Sequence, residues 1–207
     1  MTTAADLEWV RLHRLANGEF DFRVRQILPE YWSASTPCAE WDIFGLVEHV
    51  TVENLKVPMV LAGGAPAVIS ERFDPPADDE DGWFVGDRAS VLDGDPEMAW
   101  ERAHHEAVGA FDQSDMSGIV ELSLGPVPII EYLRQRTADV LIHAWDLSQG
   151  LGVDDRLDEE VVIAVFEWAS PLISRLDSSP DRFEPSVEPE PWADLQTRLL
   201  NLFGREV

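Results

Sequence analysis

Apolar positions recur at helical spacing along most of this chain. Between Asp6 and Gln26 they fall at Leu7, Val10, Leu12, Leu15, Phe20, Phe22 and Val24; the period slips near Gly18 but still predicts a first helix. Ser, Thr and Pro residues after Tyr31 end it. Asp42, or the Thr36-Pro37 pair before it, is placed to cap a second helix whose stripe of Ile43, Leu46, Val47, Val50, Leu55 and Val57 runs to about Leu61. Asp95-Pro96 opens a third helix through Trp100, Ala103, Ala107 and Phe111. Gly118 to Pro126 alternates briefly and predicts a short extended segment. Pro128 starts a fourth helix, which Gly150-Leu151-Gly152 closes with a glycine cap. A fifth helix spans about Leu157 to Leu176, interrupted by Pro171, and a last one runs from Asp194 to Phe203 and ends at Gly204. Two stretches lack the pattern. Residues 66–95 read as an acidic loop with at most local structure near Trp83-Phe84, and residues 178–191 as a linker before the last helix. The expectation is one all-α domain over residues 1–207.

Charge narrows the partners. The formal net charge of -25 repels nucleic acid and anionic membrane surfaces, which leaves small molecules as ligands. No apolar run is long enough to span a bilayer, and the first residues lack a basic start and an apolar stretch, so the expected location is the cytoplasm. The single cysteine, Cys38, excludes an internal disulfide and a cysteine-rich metal centre. With no base nearby in the sequence, it reads as a packing residue.

The candidate chemistry lies on the fourth helix. Arg136, Asp139, His143 and Asp146 follow one another at spacings of three, four and three, so all four share one face of a helix that is otherwise apolar. A carboxylate and an imidazole at i and i+4 can close on one divalent ion. His49, on the second helix, offers another imidazole. His49, Asp139 and His143 together leave at least one coordination position open, the arrangement of reactive sites rather than structural ones. Ligand type alone does not separate zinc, iron, nickel and manganese. Arg136 can orient Asp139 or bind an anionic substrate or cofactor group, and Asp146 can accept the second ring N–H of His143. The neighbours His104 and His105 point about 100° apart and suit the edge of the core better than one ion.

Thr36-Pro-Cys-Ala-Glu-Trp41, Leu46-Val-Glu-His49-Val and Arg136-Thr-Ala-Asp139-Val-Leu-Ile-His143-Ala-Trp145-Asp146 resemble the DinB/YfiT-like superfamily. Within it they resemble the metal-binding domain of mycothiol-dependent maleylpyruvate isomerase, and Leu199 to Arg205 resembles the ending of short single-domain members. The resemblance implies an up-down-down-up four-helix bundle with additional C-terminal helices. It implies a divalent metal, zinc foremost, on His49, Asp139 and His143, with Asp139 standing where the isomerase usually has glutamate. It also implies mycothiol or a similar low-molecular-weight thiol as cosubstrate in S-transfer or isomerisation, and it allows a homodimer. A metal-containing module that binds a small ligand unchanged, and metal-assisted hydrolysis, are the alternatives to thiol chemistry.

Overall fold

The computed structural model describes residues 1–39, 41–73, 90–176 and 186–207. Among the described residues are seven α-helices and one hairpin: α1 (Ala4–Val24), α2 (Ile43–Leu61), α3 (Pro66–Phe73), α4 (Pro96–Asp112), β1 (Ile119–Leu122), β2 (Gly125–Pro128), α5 (Ile129–Leu151), α6 (Glu159–Leu176) and α7 (Leu195–Leu202). The all-α expectation holds. Four helices, those that follow Asp42, Asp95, Asp158 and Asp194, begin where an aspartate can take up an unpaired backbone N–H. Asp42 accepts from Gly45 at 2.9 Å, Asp95 from Met98 at 3.0 Å and Asp194 from Thr197 at 2.8 Å. No helix among the described residues is long and apolar enough to cross a membrane.

The chain divides into two compact units. The first contains Met1–Val10 and Val47–Leu133. In it, α2 buries Val47, Val50, Asn54, Val57 and Val60, and α4 buries Trp100, Ala103, Ala107 and Phe111, each a stripe at spacings of three and four. The alternating segment after Gly118 is the first strand of an antiparallel hairpin, in which Val120 pairs with Val127. The stretch read as an acidic loop from residue 66 opens instead with α3. Pro66 suits the first turn, where its missing N–H costs nothing, and Ile69 is buried. Trp83-Phe84 and residues 178–185 of the linker lie outside the described residues.

The second unit contains Arg11–Leu46 and Arg134–Val207. Here α5 is buried almost all round, from Arg136 to Ser148, with Asp139 half-buried. Helix α6 lays Val161, Val162, Val165, Ala169 and Ile173 into the core and packs on α7. Pro171 was expected to interrupt α6, yet the helix runs through it to Leu176. Proline removes one backbone bond at a cost of about 3 kcal/mol, and burial of that apolar face offsets it. Gly150 allows a close approach: a Cβ there would meet the Ser35 carbonyl oxygen at 3.1 Å and Ile43 at 3.2 Å. The end of α5 thereby lies against the segment that carries Cys38 and Trp41.

Candidate metal centre

On α5, the ring of His143 is held from one side by Asp146 and turns its other nitrogen toward Asp139. Its Nδ1 lies 2.9 Å from Asp146 Oδ2, so the ring donates there and its Nε2 carries the lone pair. Nε2 is 3.7 Å from Asp139 Oδ1, beyond hydrogen-bond distance. Two ligands at zinc–nitrogen and zinc–oxygen distances on a tetrahedral ion stand about 3.4 Å apart, so this pair fits a cation with little movement. The other Asp139 oxygen, Oδ2, accepts from Arg136 Nη1 at 2.9 Å, which fixes the carboxylate with Oδ1 toward His143. The donor set therefore suits a divalent metal. Trp41 lies edge-on to the His143 ring, with centroids 5.7 Å apart.

Behind this pair is a cluster that the spacing along α5 does not announce. Thr36 Oγ1 donates to the Trp41 carbonyl at 2.8 Å, and Ile43 N–H donates to Ala34 at 2.9 Å, so the loop folds back on itself. Cys38 Sγ then lies 3.2 Å from Asp146 Oδ2 and 4.0 Å from His143 Nδ1. Arg205 donates Nε to Asp146 Oδ1 at 3.1 Å, and Nη2 to Asp146 Oδ2 at 2.7 Å and to Cys38 Sγ at 3.0 Å. Burial pushes the Asp146 carboxyl up, but hydrogen bonds from His143 and Arg205, with the charge of Arg205, outweigh it and hold it below the usual carboxylate range. Cys38, His143 and Asp146 place ligand atoms within 4.8 Å of one another. The guanidinium already stands among them as a permanent cation, so a second cation there would meet repulsion.

The reading of Cys38 as a packing residue is thus overturned: its sulfur belongs to a polar cluster assembled from residues far apart in the chain. Arg136, expected to orient Asp139 or to contact a cofactor, is buried and paired with Asp139. His49 lies half-buried on α2, in the first unit. His104 is half-buried and His105 exposed, with their rings stacked at 4.2 Å. His13 on α1, which the apolar pattern does not single out, sits fully buried beside Asn17 and Thr137.

The helical fold is that of an all-α protein of the DinB-like class. The family model described as the mycothiol maleylpyruvate isomerase N-terminal domain matches residues 13–148, well over half of the chain. The chain belongs to that family. Two uncharacterized proteins of Mycobacterium tuberculosis, from strains CDC 1551 / Oshkosh and ATCC 25618 / H37Rv, are each 29% identical over 199 residues, covering 94% of this chain and 96% of theirs. Crystal structures of mycothiol-dependent maleylpyruvate isomerase and of a histidine-to-alanine mutant superpose with TM-scores of 0.62. Their identities to this chain are 19% and 17%, over 88% of it and 77% of theirs, a likeness of fold.

Proposed function

We propose that this protein is a metal-dependent enzyme that uses a low-molecular-weight thiol of the mycothiol type, in isomerisation or S-transfer on a small electrophile. The observation that carries the proposal is the His143 ring: one nitrogen is pinned by Asp146 while the other faces Asp139 across 3.7 Å. His49 supplies the second imidazole in this reading, and zinc is the first divalent ion to try on a donor set that also suits iron, nickel or manganese. All three ligands fall within the span matched by the family model. A divalent ion there would attract an anionic ligand and lower the pKa of a bound thiol.

The chain's own residues orient the rest. Arg136 fixes the Asp139 carboxylate, Asp146 fixes the His143 tautomer, and the edge of Trp41 limits how far that ring can swing. In an isomerisation the thiol is returned at the end of each turnover, whereas in S-transfer it leaves on the product, so thiol consumption separates the two. Maleylpyruvate, which gives the family its name, is the first electrophile to try.

The test uses zinc-loaded protein, mycothiol and maleylpyruvate, followed by a panel of other electrophiles. Metal-dependent acceleration is expected for at least one of them, and Asp139→Ala should lose both bound metal and rate. A purified wild type that takes up no divalent metal, or a loaded protein that accelerates nothing with mycothiol, would sink the proposal. Turnover that persists without any thiol would point to hydrolysis instead.

A further inference from the structure

Arg205 reaches Asp146 from a fixed piece of backbone. Gly204, with φ +79°, turns the chain out of α7 in a conformation that a side chain rarely adopts. The Arg205 N–H donates to the Leu200 carbonyl at 2.9 Å, the pattern of a Schellman cap. Asn201, itself buried, donates to the Arg205 carbonyl at 2.8 Å, and Arg205 Nη1 donates to the Phe203 carbonyl at 2.8 Å. The guanidinium therefore arrives in one place, with its side chain 13% exposed, against a carboxylate that is fully buried.

We propose that Arg205 is a positioning residue for the metal centre. The inference rests on the metal reading given above. Arg205 grips Asp146 through both carboxylate oxygens, so the Asp146 group cannot rotate, and Oδ2 stays aimed at His143 Nδ1. A single contact would leave that rotation open, because the last torsion of an aspartate is soft. Cys38 closes the remaining side, accepting from Nη2 and donating to Oδ2. The consequence is carried to the other edge of the ring, where Nε2 is kept facing Asp139. Arg205 lies outside the residues 13–148 that the family model matches.

The test compares wild type, Arg205→Met and Arg205→Lys as full chains. Nitrogen-15 NMR of the histidines in metal-free protein, with imidazole neutral, should show His143 in the Nδ1–H form for wild type. Arg205→Met should show a mixture of both forms, and Arg205→Lys should recover part of the wild-type signal. Titration with zinc alone should give Arg205→Met a dissociation constant raised by about tenfold or more, the range lost when an outer partner of a metal ligand is removed. An unchanged tautomer in Arg205→Met overturns the proposal whatever the zinc affinity. If wild type binds no zinc, the metal reading falls, while the tautomer comparison still decides the clamp. Should Arg205→Met fail to fold, the Arg205 Nε–H of wild type decides: slow exchange with water supports the clamp, and exchange as fast as in an exposed arginine overturns it.

Discussion

Acidification should destabilise this protein partly through one residue, His13. The side chain is 1% exposed, with Asn17 Nδ2 at 3.2 Å from its Nε2 and Thr137 Oγ1 at 3.4 Å from its Nδ1. Burial, and then the charges of Arg136 and Arg14, push its pKa down from 6.5 to about 3. In the unfolded chain the imidazole takes up a proton near 6.5. Above that pH it is neutral in both states and adds no pH dependence. Below it, the unfolded state binds a proton that the folded state refuses, so stability falls as pH falls, by about 1.4 kcal/mol per pH unit until the folded imidazole itself titrates. Between pH 6.5 and 4.5 this amounts to roughly 2–3 kcal/mol, a large share of the roughly 5–15 kcal/mol that holds a domain together. Urea unfolding across a pH series, for wild type and His13→Gln, measures it. The variant should start lower, having lost packing and hydrogen bonds, but its stability should fall less steeply below pH 6.5, by one proton. Carboxylates titrate in both proteins and cancel in the difference. Parallel curves from about pH 7.5 to 4.5 would refute the argument.

Further predictions concern the cluster and the helices. Asp146→Asn leaves the Arg205 guanidinium mostly buried without its counter-charge and should cost about 3–5 kcal/mol in urea unfolding. Adding Arg205→Met should restore part of that, with a coupling of at least about 1 kcal/mol, whereas simple additivity would mean that the two do not interact. Gly204→Ala forces a side chain to φ +79° and should cost about 1 kcal/mol or more, read by denaturant midpoint. Pro171→Ala returns an N–H to the Glu167 carbonyl inside α6 and should raise stability by about 1–3 kcal/mol, seen as a higher melting temperature.

Much of the helical framework could be read from the sequence because its cues are local. Asp42, Asp95 and Asp194 cap the helices that follow them, and α2 spans the interval its apolar stripe marks out. The polar face of α5 was legible for the same reason, since Arg136, Asp139, His143 and Asp146 are ordered by helical pitch alone. Two local cues misled. Proline inside α6 weighs less than the apolar face on which the helix rests, and acidic composition after Pro66 hid a short helix anchored by Ile69. The remaining differences are of another kind. Cys38 and Arg205 are separated by 167 residues and meet only because the Thr36–Trp41 loop and the turn at Gly204 converge on Asp146. Nothing in their spacing points to that meeting. His13 shows the same limit: nothing in the apolar pattern singles it out, and Thr137 reaches it from 124 residues away.

The lone thiol of this sequence has a practical use. A maleimide dye or a nitroxide attached to Cys38 would mark a single address, a few ångströms from the histidine on which the proposed chemistry turns. Because labelling removes the S–H that Cys38 donates to Asp146, the rate at which the label attaches reports how often the guanidinium clamp opens.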